Sequence, residues 1–589
     1  MCGILAVRVD WLLATHGELD GPVGRALGAM RARGPDGTRW VRHGNWVLGC
    51  ARLAVSEPRS TQPLVLRGRR WAVAFNGAVT NARDVWASMR PRLGARKRLP
   101  NDAWLPLLAA ASGSPAARFH GHGCALVVDA QEDVVHVYAD PLGEKPLFRG
   151  FDGKATVAIA STPAALRALG IDEPADAWRG STYWTRGSGP VAGHPTQVMV
   201  PWDRTHGWAT VSGGRVEARP RVVAPAAATA PLRELVVGAV SRCARADVRV
   251  GMCLSGGLDS SVLAAALGQQ GIALDVFQFR AAGAPEGERV RAREVAARFG
   301  HRLHEVDGDE ALLGCLPLLT RTWGRPLGDP SVLALHAVAR AAASHGVRVL
   351  LSGEGADECF LGYRRHRALA QLQTWARFAR LAAPLVGAWG TGTVARWLRA
   401  AGAADPHGSL LEVVPPAFCR LVLQHGWEPE SCPVPVDIEF AARRECAEYL
   451  REDLLVKLDV GAMAAGVEGR CPFLDRDVVA WAAAQPARTL LGKAPLRAAF
   501  AGVLPSSVLR ARKQGMALPL DRWFRECPEA LDLLRDRRTL ARPHLRPEGV
   551  TRAVDLHRSA RADLGHGLYL LLAFEHHLRA REEALLPCA

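Results

Sequence analysis

The sequence predicts an α/β protein with a β-rich first unit and a second unit built on a parallel sheet. Three observations lead there. Its 589 residues exceed what one hydrophobic core normally supports. Up to about residue 215, short β-branched and aromatic runs alternate with turn residues. From about 232, apolar strands alternate with helix-length segments, the pattern of parallel strands joined by crossovers.

In the first unit the strand-like runs are "NWVLGCARLAV", "RRWAVAFNGAV" and "GCALVVDAQEDVVHVYAD", with helical patterns at 21–32 and 104–111. "EARPRVVAPAAATAPL" (217–232) has no amphipathic period and reads as an extended linker, which sets units at 2–215 and 232–589 with 216–231 between them. "DVRVGMC", "LDVFQF" and "HGVRVLL" are the strands expected in the second unit, and 362–589 reads mostly helical.

An apolar fraction of 49% with 22% charged residues is that of a soluble globular protein. No signal peptide is evident, and the apolar stretch 381–394 is too short and too broken by Gly and Pro to span a membrane. Thirteen cysteines include no CxxC, and Cys253, Cys315 and Cys471 lie in apolar runs typical of buried thiols; the cytosol is the expected compartment. The net charge of +16 is spread among acidic residues without a basic and aromatic block, so nucleic acid is not the expected partner.

Cys2 follows the initiator methionine. Removal of Met1 would leave one residue holding both a thiol and an α-amine titrating near pH ~7.7–8, a nucleophile with its own base. "SGGLDSS" (255–261) leaves a strand and opens a helix, where two glycines admit a ligand and amides face an anion. It lacks the GK[ST] ending of a Walker A loop. A second strand ends in "SGEGADE" (352–358), so both loops fall at the carboxyl ends of parallel strands. Their amides, Ser255, Ser260, Ser352 and the carboxylates of Asp259, Glu354, Asp357 and Glu358 together suit a nucleotide and Mg2+.

These residues carry a resemblance. "SGGLDSS" resembles the pyrophosphate loop of the ATP pyrophosphatases. "LSGEGADECFLGY", "DLLVKLD", "EGRCPFLD", "GKAPLR" and "RKQGMALPLDRWF", in that order, are similar to glutamine-dependent asparagine synthetases. The first unit fits the same family, whose glutaminase domain is an N-terminal nucleophile αββα sandwich. The resemblance implies Cys2 as nucleophile, Arg52 on the glutamine α-carboxylate, Asn76 and Gly77 as the oxyanion hole, and Asp102 on the glutamine ammonium. It implies that Leu254, Ser255, Gly256, Gly257, Asp259, Ser260, Ser261, Phe279, Ser352 and Gly353 bind ATP. Asp259 and Asp357 would hold Mg2+, Glu354 would assist ammonia attack, and Lys493 would neutralise phosphate charge. "MRARGPDG" (30–37) and "YADPLGEKPLF" (138–148) match further signatures.

The chain also departs from the family pattern. Ala78 replaces a glutamate that contacts the glutamine ammonium, a loss of about 1.5–3 kcal/mol. Ala139 replaces an arginine, "MAAG" (463–466) lacks a polar side chain, and Arg325 stands where glutamate is common. Near an acyl-acceptor pocket, Arg325 would point to an acid other than aspartate. The expectation is a two-site amidotransferase: Cys2 frees ammonia from glutamine, and a dry tunnel delivers it to an acyl-adenylate made from ATP and a carboxylic acid. Aspartate is the first candidate for that acid. An acid of a natural-product pathway, an amine-using cyclase and a non-catalytic nucleotide binder are the alternatives. A homodimer is carried over from the family.

Overall fold

The computed structural model describes residues 2–585 apart from 58–59, 67, 69, 94–100, 114–118, 154, 189–198, 204–206, 220–229, 284–285, 383–392, 427–433 and 513–514. Among the described residues, the first unit contains β1 (Cys2–Arg8), β2 (Thr38–His43), β3 (Trp46–Arg52), β4 (Leu64–Val65), β5 (Trp71–Val79) and β6 (Gly121–Asp129). It continues with β7 (Val134–Ala139), β8 (Phe148–Asp152), β9 (Ala155–Ala160), β10 (Met199–Pro201), β11 (Trp208–Ser212) and β12 (Arg215–Arg219). They form two antiparallel sheets, ordered β10-β8-β9-β1-β3-β2 and β12-β11-β7-β6-β5-β4.

Strand alternation builds the layers. In β1, Cys2, Ile4 and Ala6 face the second sheet, packing with Leu48, Ala74 and Leu126. Leu5 and Val7 face outward, onto Val23, Ala26 and Leu27 of the helix Asp20–Ala29. Beyond the second sheet, Val73, Phe75 and Val127 pack against the helices Ala82–Leu93 and Trp104–Ala111. The result is the expected αββα sandwich. Strand β12 pairs with β11 through Arg219, so regular structure enters the segment read as linker; the strand-forming Arg-Val-Glu-Ala-Arg run outweighs the Pro-Ala composition that follows. Most of that segment, 220–229, lies outside the described residues, as does most of 381–394.

The second unit holds β13 (Val250–Cys253), β14 (Asp275–Ala281), β15 (Arg302–Gly308), β16 (Val349–Leu351) and β17 (Glu468–Arg470). All run parallel, in the order β15-β14-β13-β16-β17. The chain leaves β13 towards β14 and β15 and later returns on its other side at β16, so the topological switch point lies at β13 and β16. The rest of the unit is largely helical and includes a π-helical segment, Glu445–Leu454. No described helix is long and apolar enough to cross a membrane. Cys471 is buried as expected, whereas Cys253 and Cys315 are half-buried, because they stand at a strand end and at a helix junction rather than in a core layer.

The two units share one core. Leu166, Trp178 and Tyr183 of the first pack in the same cluster as Trp323, Leu570 and Phe574 of the second. The Tyr183 hydroxyl donates to the Leu570 carbonyl at 2.7 Å. A Cβ on Gly324 would sit 2.2 Å from the Ala164 nitrogen.

Candidate active sites

The first site forms where β1 begins beside the end of β3, with Cys2 opposite Arg52 in the register. Cys2 is buried but lines a small cavity with Arg52, Gln62, Gly77, Asn101 and Asp102. The Cys2 nitrogen donates to Asn76 Oδ1 at 3.0 Å. This fixes the amide, leaving Asn76 Nδ2 buried without a partner. Buried donors are nearly always paired, so an unpaired one beside a nucleophile fits a hole for a developing oxyanion.

Gly77 has φ +153°, and a Cβ there would lie 2.2 Å from the His122 carbonyl and 2.5 Å from Gly123 Cα. Only glycine fits this crossing of β5 and β6. The Arg52 guanidinium is braced on the Glu57 carbonyl at 2.8 Å while facing the cavity. Asp102 accepts from the Val79 amide at 3.1 Å, and burial raises its carboxyl to about 6.

The Cys2 thiol is lowered to about 7. The neighbouring Cys50 thiol is the main cause; burial opposes it, and the positive amino terminus and Arg52 assist. Gln62 escaped the sequence reading. Its Oε1 accepts from the Phe75 amide at 2.7 Å and its Nε2 lies 3.7 Å from Cys2 Sγ, so β5 aims it at the nucleophile. A Gln-Pro pair in a loop gives no sequence signal of that task.

The second site lies at the switch point. After β13, the Leu254 amide donates to the Phe277 carbonyl, and Ser255 and Ser260 tie the turn together through their hydroxyls at 3.1 Å. Gly256 has φ +76°, and a Cβ would meet the Glu288 carbonyl at 2.2 Å. Gly257 then starts the helix Leu258–Gly268, where the Ser261 hydroxyl is buried without a partner. Gly353, after β16, packs on Asp259: a Cβ would lie 3.0 Å from the Asp259 Cβ. Phe279 is half-buried on β14, against Gly308 of β15.

Lys493 joins these loops. Its Nζ lies 2.6 Å from both Asp259 carboxylate oxygens and 2.7 Å from Asp357 Oδ1. Two carboxylates converging on one cation are a donor set suited to a hard metal ion. Lys493 itself is buried and has φ +60°, a backbone shape that aims it inward from the turn after Gly492. Glu354 pairs instead with Lys457 at 3.4 Å, which also reaches Asp329 at 3.4 Å. Lys457 and Asp329 were missed as individual residues, although the quoted block "DLLVKLD" contains Lys457 and Asp329 stands four residues after Arg325.

Arg325 corrects an expectation. It does not face an acid pocket: it pairs with Glu173 of the first unit, both buried, and lies 5.1 Å from the Phe148 ring centroid. Its role is to fasten the units.

Other quoted signatures do the same. Arg33 of the Arg-Gly-Pro-Asp loop pairs with Asp459 of "DLLVKLD". In "YADPLGEKPLF", Asp140 accepts from the Gly143 and Glu144 amides and holds the turn. Lys145 then donates to the Gly469 carbonyl at 2.8 Å, and Glu144 accepts from the Cys471 amide at 3.3 Å. His122, paired with Ala78 across β5 and β6, meets Glu468 at 3.1 Å. Burial, with Lys145, lowers His122 to about 4.

A model of the family described as asparagine synthase matches residues 231–579, and one described as a glutamine amidotransferase domain matches residues 1–187. The chain is similar to a putative glutamine-hydrolysing asparagine synthetase of Mycobacterium tuberculosis H37Rv, with 29% identity over 89% of this chain and 88% of the relative. It is 25% identical to glutamine-hydrolysing asparagine synthetase 1 of Bacillus subtilis, over 98% and 96%. Asparagine synthetase B of Escherichia coli is 25% identical over 57% and 60%.

Proposed function

The chain belongs to the asparagine synthase family, and from that premise we propose that it makes an amide in two sites, using glutamine nitrogen and ATP. One observation carries the reading. Lys493, Asp259 and Asp357 converge at the switch point of a chain whose other unit sets Cys2 beside the unpaired Asn76 Nδ2.

In the first site, Arg52 takes the glutamine α-carboxylate and Asp102 its ammonium, placing the side-chain amide at Cys2. The thiolate attacks the amide carbon while Asn76 Nδ2 and the Gly77 amide hold the oxyanion. Ammonia leaves, and water hydrolyses the thioester. With Met1 removed, the Cys2 nitrogen becomes an amine able to shuttle the proton. Ala78 leaves Asp102 as the acidic partner for the ammonium.

In the second site, a carboxylic acid attacks the α-phosphorus of ATP, giving an acyl-adenylate and pyrophosphate. The Ser255–Ser261 loop cradles the pyrophosphate, with Leu254, Phe279, Ser352 and Gly353 along the nucleotide. Asp259 and Asp357 would hold Mg2+, which supplies positive charge to the phosphates; Lys493 supplies charge at the same place. Glu354 takes a proton as ammonia attacks the adenylate. Aspartate is the acid we favour. Arg325, the departure that pointed elsewhere, serves the contact between units, and Ala78 concerns glutamine rather than the acid.

We take 2–215 and 232–589 as the glutaminase and synthetase units, and a homodimer as the assembly, which light scattering measures. The test of function is aspartate-dependent pyrophosphate release with Mg·ATP, comparing glutamine with ammonia in wild type and Cys2→Ala. Turnover of aspartate, with the glutamine reaction alone lost in Cys2→Ala, is expected. Glutamine hydrolysis without aspartate-dependent pyrophosphate would mean that another acid is the substrate.

A further inference from the structure

Cys50 is a buried thiol that makes and breaks no bond in the amide-forming chemistry. In the β1–β3 register, Cys2 faces Arg52 and Ile4 faces Cys50. Cys2 and Cys50 are therefore diagonal neighbours on one face of the pair, and that face is the sandwich interior. Both side chains pack in that interior with Ile4 and Leu48. The pair is asymmetric: Cys2 lines the cavity, while Cys50 is fully buried behind it. Cys2 is the more readily ionised, and the neighbouring Cys2 sulfur pushes the Cys50 thiol well up.

A cavity-lining thiolate backed by a protonated thiol is the arrangement of a peroxide-sensitive cysteine with a resolving partner. We propose that Cys50 is the resolving thiol for Cys2, so that a hydroperoxide reversibly converts the pair into a Cys2–Cys50 disulfide and switches off glutamine use. The inference rests on Cys2 being the glutaminase nucleophile.

The chemistry balances. The Cys2 thiolate attacks one oxygen of hydrogen peroxide; the S–O bond forms, the O–O bond breaks, and the released hydroxide takes a proton to become water. The Cys50 sulfur then attacks the Cys2 sulfur. The S–S bond forms, the S–O bond breaks, and hydroxide leaves with the Cys50 proton as a second water. Two electrons pass from the thiol pair to the peroxide.

Diagonal neighbours stand about 7–8 Å apart at Cα, whereas disulfides span about 4.4–6.8 Å. Cys2 must therefore move towards β3. It stands at the beginning of β1, and the move draws its nitrogen off Asn76 Oδ1. The oxidised site loses both its nucleophile and the bond that orients Asn76.

The experiment uses the full-length enzyme, first reduced and freed of thiols, then exposed to excess hydrogen peroxide. Glutamate release is compared with each variant's own untreated rate, before and after dithiothreitol, and peptide mapping follows the cysteines. Wild type is expected to lose most of its glutaminase rate and recover it, with a Cys2–Cys50 linked peptide in the oxidised sample. Its ammonia-dependent rate should persist. Cys50→Ser is expected to lose its rate without recovery and to gain two oxygens on Cys2. Equal recovery in Cys50→Ser, or Cys2 linked to Cys124 instead, overturns the proposal. The linked peptide is sought in wild type, so the test survives a poorly folding variant. Glutamine hydrolysis by Cys2→Ala would instead overturn the reading of Cys2 itself.

Discussion

The Ser352 amide donates to the Arg470 carbonyl across 2.8 Å. The first residue of the loop after β16 therefore hangs on a three-residue strand whose Glu468 side chain meets His122 of the first unit. Arg470 also donates to Glu468 at 2.7 Å and to the carbonyls of Cys243 and Arg245 at 2.8 Å each. Replacing Arg470 by Met leaves Glu468 charged, buried and short of its main partner. Breaking such a pair costs about 3–5 kcal/mol. We expect that loss in urea unfolding, together with a raised KM for ATP in the ammonia-dependent reaction, as the strand whose main-chain carbonyl holds Ser352 loses its side-chain anchors to Glu468, Cys243 and Arg245.

The glutaminase should depend on pH through two groups. In the proposed mechanism Cys2 works as a thiolate, its thiol lowered to about 7, and Asp102 is ionised to hold the ammonium, its carboxyl raised to about 6. Activity needs both deprotonated, so kcat/KM for glutamine falls as pH drops through 7 and more steeply below 6. Cys50→Ala removes the donor that lowers Cys2 and should move the upper limb to higher pH. A rate profile from pH 5 to 9 checks both.

Lys493→Met removes the cation between Asp259 and Asp357 and leaves two facing carboxylates. Positioned charges at a phosphoryl centre are typically worth about 10²–10³-fold in rate. Pyrophosphate release should fall by that order with either nitrogen source, while glutamate release from glutamine continues. A variant impaired only with glutamine would place Lys493 outside the second site.

The Arg325–Glu173 pair offers a stability test. Arg325→Met alone leaves Glu173 buried without its charge partner and is expected to cost about 3–5 kcal/mol. Adding Glu173→Leu should return most of that, since a hydrophobic replacement of a buried pair is often neutral. Thermal unfolding of both variants measures the difference. The KM for the acid substrate should stay within about twofold of wild type, because Arg325 points away from that site.

Much of this architecture was legible because its parts are local. The strand runs, the Gly-rich turns after β13 and β16, and Cys2 at the chain's start are written in consecutive residues. What escaped was decided across the fold. β15 is an edge strand with exposed charged residues, and β17 is only Glu-Gly-Arg, polar in sequence yet buried because its charges are paired. Neither shows the apolar run that marks a strand. Gln62 and Lys457 acquire their tasks from partners on other elements. Arg325 was misplaced for the same reason: its neighbours in sequence border the second site, but its carboxylate partner lies 152 residues away.

The shared core has a consequence for engineering and descent. Tyr183, Trp178 and Leu166 complete an interior whose other wall is Leu570, Phe574 and Trp323. Cutting the chain near residue 225 would expose both walls to water, and each fragment should aggregate or recruit a surrogate partner. The halves cannot be exchanged with those of a relative as independent cassettes. A working chimera needs the matching wall from the same parent, so substitutions on the two sides of this seam should be inherited as sets.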